Sequence, residues 1–119
     1  MPSLRVMIVE DEPLIAMAME MLVEDVGGEL TGSYGTVKDA LAAIAATPRV
    51  DVALLDCNLG KEPAWAVAEA LAARKTPFAF TSGQGVKDID KRFADRPVFA
   101  KPVDEEKLKR FLRQYSRLD

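Results

Sequence analysis

The chain contains 119 residues with a formal net charge of −3, and 49% of its residues are hydrophobic and 29% charged. These values are typical of one folded domain with a single core, and they give no reason to expect direct binding to nucleic acid. One cysteine, no histidine and no run of ~20 apolar residues exclude an internal disulfide, histidine chemistry and a membrane span. Because a secretion signal is also lacking, we expect a cytoplasmic protein.

Apolar runs bounded by turn residues predict five β-strands, and the segments between most of them have helical spacing. The strand segments are LRVMIV, GELTGSY, VDVALL, FAFT and PVFA. The helices are expected near residues 13–26, 37–47, 63–74, 86–94 and 104–116, and the fourth has the weakest pattern. Because the first and third strands are continuously apolar, we predict a doubly wound α/β fold with helices on both faces of a parallel sheet. No repeat or linker interrupts residues 1–119, which favours a single domain without an output domain.

Polar side chains follow the predicted strands where four of them end. These residues are Glu10, Asp11, Asp56, Thr81, Ser82 and Lys101. Because the carboxyl ends of parallel strands meet at one edge and neighbouring strands are ~4.8 Å apart, acids from two strands can share a cation. Two or three carboxylates without nitrogen or sulfur ligands favour Mg²⁺. Alternatively, the acids after the first strand form a solvated helix start, and Asp56 bonds only to nearby backbone amides.

Four segments, MIVEDEP, VALLDCNLG, FAFTSG and VFAKPV, resemble in order and spacing the receiver domain of two-component response regulators. The resemblance extends over nearly the whole chain. It implies a flavodoxin-like parallel sheet of strand order 2-1-3-4-5, flanked by five helices. It also implies a phosphorelay protein that a histidine kinase or a histidine phosphotransfer protein phosphorylates, and not an enzyme with a separate substrate.

The resemblance assigns a magnesium-dependent phosphorylation site. Asp56 matches the phosphoacceptor, and Asp11 matches a direct Mg²⁺ ligand. Glu10 would help to hold the ion through water, and the backbone carbonyl of Asn58 would complete the protein's share of the coordination.

The resemblance also assigns a switch. Ser82, and not the preceding Thr81, matches the switch hydroxyl, and Lys101 matches the lysine that pairs with the phosphoryl group. Most receivers have Tyr or Phe where this chain has Val98, and Phe99 should point to the opposite face of its strand. This departure is similar to a branch of single-domain receivers known from alphaproteobacteria. We therefore expect the signal to pass through the glycine-rich segment 83–85 into the weak fourth helix.

The first predicted helix carries two apolar stripes, of which a sheet can bury only one. The spare stripe consists of Leu14, Met17, Ala18 and Met21. It is expected beside the strand ends, where the family docks the helical bundle of the kinase, and methionine adapts to such surfaces. A helix buried on both sides is the alternative.

Other functions stay open. A phosphohydrolase of the aspartyl-phosphate type could use the DCN segment, although that loop contains no second acid and no cap segment would enclose a substrate. A docking pseudo-receiver that is not phosphorylated is disfavoured because the acids, Asp56, Ser82 and Lys101 are all present. A mononucleotide-binding module is weaker still, because the loop after the first strand has acids and no glycine.

Overall fold

A computed structural model of the protein describes residues 4–116, and its central feature is a five-stranded parallel sheet. The strands in chain order are β1 (Arg5–Val9), β2 (Glu29–Tyr34), β3 (Val52–Asp56), β4 (Asn58–Leu59), β5 (Glu62–Pro63), β6 (Phe78–Ser82) and β7 (Val98–Ala100). The parallel sheet has the order β2-β1-β3-β6-β7, and the two-residue strands β4 and β5 form a separate antiparallel pair. This confirms the predicted order of the five main strands.

Four α-helices are present within residues 4–116, where the sequence predicts five. They are α1 (Pro13–Asp25), α2 (Val37–Ala46), α3 (Trp65–Ala73) and α4 (Glu105–Arg113). None of these helices is both long enough and apolar enough to cross a membrane.

The predicted fourth helix over residues 86–94 is wrong, because two 3-10 turns, Gly85–Asp88 and Lys91–Phe93, occupy that segment. Asp90 lies between them with extended backbone angles, and its side chain accepts a hydrogen bond from the backbone N–H of Arg92. Such a local side-chain contact competes with the backbone hydrogen bonds of a continuous helix. The segment therefore forms two separate turns.

The sheet divides the apolar interior into two cores, which explains why β1 and β3 are apolar on both faces. One core lies against α2 and α3 and includes Val9, Leu55, Phe80 and Phe93. The other lies against α1 and α4 and includes Ile8, Leu54, Leu22 and Leu108. Side chains that immediately follow β1 and β3 therefore extend from strands that are almost completely buried, and this limits their positions.

Candidate functional site

The site lies at the carboxyl edge of the sheet, around a cavity of about 360 Å³. Its lining includes Asp11, Asp56, Asn58, Gln84, Asp88 and Lys101. Glu10 contacts Lys101, and Ser82 contacts Asp88. The structure thus brings together the polar residues that the sequence places after separate strands.

Three carboxylates form the acidic part of the site. Glu10, Asp11 and Asp56 each offer an oxygen, and these oxygens lie within 4.8 Å of one another. Glu10 and Asp56 are only 3% and 5% exposed, so neither belongs to a solvated turn. Asp11 is more exposed, and its Oδ2 accepts a hydrogen bond of 2.9 Å from the backbone N–H of Gly60.

The surroundings of Glu10 strongly perturb its carboxyl group. Burial raises the pKa of Glu10 to about 7, and the neighbouring Asp56 adds to this effect. The backbone N–H of Glu12 and the charge of Lys101 act in the opposite direction. Among the described residues, Glu10 Oε1 accepts no hydrogen bond, although Lys101 Nζ lies 3.3 Å away. A buried oxygen with spare acceptor capacity, in an all-oxygen cluster, suits a hard cation such as Mg²⁺.

Lys101 supplies the positive charge of the site. Its Nζ lies 2.9 Å from Asp56 Oδ2 and 3.3 Å from Glu10 Oε1. Burial alone would lower the pKa of Lys101, but the two carboxylates outweigh it and raise that pKa. The backbone N–H of Lys101 donates to the carbonyl of Ser82 at 2.8 Å, which extends the pairing of β6 and β7 to the site. The following peptide bond, between Lys101 and Pro102, is cis.

Asp56 is held at both carboxylate oxygens. Oδ2 accepts from Lys101, and Oδ1 accepts from the backbone N–H of Asn58 at 3.1 Å. The backbone amide contact is the one expected of an ordinary strand end, whereas the lysine contact reaches Asp56 from a residue that follows β7. Asn58 itself lies in β4 beside the cavity.

The hydroxyl of Ser82 is bonded to Asp88 and not to the three clustered carboxylates. It is fully buried, donates to Asp88 Oδ2 at 2.8 Å and accepts from the backbone N–H of Gln84 at 3.1 Å. Asp88 is a site residue that the sequence analysis did not identify, because it fell within the predicted fourth helix. In a continuous helix it would be an ordinary first-turn acid, and the 3-10 turn instead returns it to the end of β6.

Thr81 is the neighbouring hydroxyl, and it differs from Ser82 in its surroundings. It is fully buried, and its Oγ1 has no hydrogen-bond partner among residues 4–116. It is in register with Asp56 in β3 and with Phe99 in β7.

Val98 and Phe99 lie on opposite faces of the sheet, as predicted. Val98 packs against the core beside α3, whereas Phe99 packs against Phe111 of α4 with ring centroids 5.7 Å apart. On the Val98 side, Phe80 and Phe93 are buried and their ring centroids are 6.0 Å apart. Buried aromatic rings thus occupy the core on the same face of the sheet as Val98.

Comparison with solved structures shows relatives over almost the whole chain. SdrG from Sphingomonas melonis Fr1 is 43% identical, with 95% of this chain and 97% of that chain covered and a TM-score of 0.82. The BeF3-activated conformation of SdrG from Pseudomonas melonis Fr1 is also 43% identical over the same shares, with a TM-score of 0.77. The REC domain of the response regulator PhyR from Erythrobacter litoralis is 25% identical, with 98% and 95% covered and a TM-score of 0.78. No protein-family model and no curated protein matches the chain.

Proposed function

Because this chain belongs to the receiver domains of response regulators, we propose that it accepts a phosphoryl group on Asp56 and thereby changes its contacts with other proteins. The observation that carries this proposal is the contact between Lys101 Nζ and Asp56 Oδ2, at 2.9 Å, beside two further carboxylates. A strand-end aspartate without such a function would not need a half-buried lysine and two further acids around it.

The phosphoryl donor is a phosphohistidine of a histidine kinase or a histidine phosphotransfer protein. A carboxylate oxygen of Asp56 attacks the phosphorus, and the phosphorus–nitrogen bond breaks with its electron pair going to the imidazole nitrogen. In such a reaction the protein contributes mainly positioning and charge stabilisation. The cavity of about 360 Å³ in front of Asp56 gives the phosphoryl group access.

Asp11, Asp56 and the backbone carbonyl of Asn58 would hold Mg²⁺ directly, and Glu10 would hold it through water. When bound, the ion supplies positive charge that neutralises oxygens of the transferred group. The fit rests on the three carboxylates within 4.8 Å and on the unsatisfied Oε1 of Glu10.

Lys101 and Ser82 respond to the new phosphoryl group. Phosphorylation adds a charge of about −1.5 to −2 and new acceptor oxygens. Lys101 can transfer its N–H donation from the carboxylate of Asp56 to these oxygens, whereas Ser82 must turn away from Asp88. Two charge-assisted contacts at ~1.5–3 kcal/mol each are comparable with the ~5.5 kcal/mol that moves a two-state equilibrium from 1:99 to 99:1.

The exposed face of α1 is the proposed docking surface for the phosphohistidine partner. Leu14, Met17 and Met21 are 80%, 57% and 62% exposed, and Ala18 is also exposed, so the alternative of a helix buried on both sides is wrong. Leu14 and Ala18 line an apolar groove of about 270 Å³ that continues to Lys101. A helical bundle on this surface would therefore bring its histidine to the edge of the sheet that carries Asp56.

The proposal is tested by phosphorylation with a small-molecule phosphodonor and Mg²⁺, with intact-protein mass as the readout. The wild-type protein should gain one phosphoryl group, and Asp56→Asn should gain none. Asp95→Asn is the matched control, because the side chain of Asp95 is 86% exposed and lies outside the cavity. Labelling of Asp56→Asn would contradict the assignment, and an unmodified wild-type protein that still binds a histidine kinase would favour a docking pseudo-receiver.

A further inference from the structure

The hydroxyl proton of Ser82 is already in use in this structure. Ser82 Oγ donates it to Asp88 Oδ2 over 2.8 Å. A serine hydroxyl has one proton, so it cannot donate to Asp88 and to a phosphoryl oxygen at the same time. The contact with Asp88 must therefore break before Ser82 can bind the phosphoryl group.

Asp88 also lines the cavity into which a phosphoryl group on Asp56 would extend. It lines the same cavity as Asp56 and Lys101, and in the described part of the chain it forms no ion pair. Two anionic groups in one partly buried cavity repel each other more strongly than they would in water. Phosphorylation of Asp56 would thus destabilise the present conformation of Asp88 by electrostatic repulsion.

We propose that Asp88 is an autoinhibitory positioning residue that holds the hydroxyl of Ser82 away from the phosphoryl site until phosphorylation displaces it. The proposal rests on the function proposed above and adds a regulatory contact to the same site. In the unphosphorylated protein the contact opposes activation, and in the phosphorylated protein Ser82 and the turn Gly85–Asp88 move together.

The two 3-10 turns differ in the side-chain contacts that tie them to the rest of the fold. In the second turn, Phe93 is 5% exposed and packs against Trp65 and Phe80, and Arg92 forms an ion pair with Glu69 of α3. The first turn begins at Gly85, whose φ of 65° suits glycine, and its described side-chain hydrogen bonds are those of Asp88. The segment that moves is therefore residues 83–88, which is shorter than the region the sequence indicates.

Beryllofluoride with Mg²⁺ is a phosphoryl analogue that tests this contact by titration. Asp88→Ala should bind beryllofluoride about tenfold more tightly than the wild-type protein. In this variant Ser82 has no hydrogen bond to Asp88 that must break, and no carboxylate at position 88 repels the analogue. Asp88→Asn keeps an acceptor oxygen without the charge and should fall between the two. In a Ser82→Ala background, Asp88→Ala should increase the affinity for beryllofluoride by a smaller factor, because the hydrogen bond between Ser82 and Asp88 is already absent.

Amide hydrogen exchange of the unliganded variants gives a second readout. In Asp88→Ala, exchange should become faster across residues 83–88 and stay unchanged in α3, whereas Asp95→Asn should match the wild-type protein. A merely structural role for Asp88 would weaken analogue binding when the residue is removed, so tighter binding is the diagnostic result.

The outcomes separate the two proposals. If the wild-type protein binds beryllofluoride and Asp88→Ala binds it no more tightly, the autoinhibitory contact is wrong and the receiver function stands. If folded wild-type protein and Asp88→Ala both fail to bind it, the proposed function is wrong and the autoinhibitory contact is overturned with it. Binding by Asp88→Ala alone would support the contact strongly.

Discussion

Replacing Glu10 by Gln should change how the stability of the metal-free protein depends on pH. Burial first, and then Asp56, raise the pKa of Glu10 from 4.5 to about 7 in the folded protein. A raised carboxyl pKa means that the folded state binds the proton more tightly than the unfolded state. The resulting stabilisation is complete below pH 4.5 and is lost as the pH rises through about 7.

The size of the effect follows from the two pKa values. The rise from 4.5 to about 7 corresponds to about 3 kcal/mol of unfolding free energy, and most of it should disappear between pH 5 and pH 8. The side chain of Glu10 is fully buried, so solvent does not screen this effect. Gln resembles the protonated acid in shape, and its side chain does not titrate.

The assay is urea unfolding at pH 5 and pH 8 with a chelator present. Relative to Glu10→Gln, the wild-type protein should lose most of this ~3 kcal/mol between the two pH values. At pH 8, Mg²⁺ should stabilise the wild-type protein more than the variant, because the ionised Glu10 helps to hold the ion. Parallel pH profiles for the two proteins would refute the assignment of a buried, protonated Glu10.

Three further predictions concern the same edge of the sheet. Lys101→Met should slow phosphorylation of Asp56 about 100-fold without weakening Mg²⁺ binding, because it removes the ammonium group that donates to the phosphoryl oxygens and leaves the carboxylates. Phosphorylation rates and a metal titration measure the two effects, and a normal rate would contradict the role of Lys101. Asp11→Ala should weaken Mg²⁺ binding and phosphorylation together, and unchanged Mg²⁺ affinity would show that the metal lies elsewhere. Leu14→Asp and Met17→Asp should slow phosphoryl transfer from a phosphorylated histidine kinase about tenfold and leave the reaction with a small phosphodonor unchanged. An equal effect on both reactions would argue against a docking surface on α1.

The sheet and most of its edge were predictable from residue patterns. The apolar runs of β1 and β3 are long enough to identify parallel strands buried on both faces, and the acids that follow them necessarily lie at one edge. The sequence also correctly separates Val98 from Phe99, because alternation along a strand is a local property. The functional roles of these residues stay predictions.

The segment after β6 could not be predicted because local and tertiary contacts compete there. Helical spacing over residues 86–94 favours a helix, whereas Asp90 bonds to its own backbone and Phe93 packs into the core. The position of Asp88 depends on that competition, so neither the residue type nor its spacing from Ser82 identifies its contact. The burial of Glu10 depends in the same way on contacts with residues far along the chain.

Trp65 gives the unlabelled protein an intrinsic optical reporter. It is the single tryptophan of the chain, and its ring stacks on Phe93 at 6.2 Å and meets the edge of Phe80 at 5.7 Å. Its emission therefore senses the second 3-10 turn and the core beside α3, and not the turn that carries Asp88. We expect this emission to change when the protein unfolds and to stay constant when beryllofluoride binds. Such a result would place the boundary between the stationary core and the moving segment before Phe93.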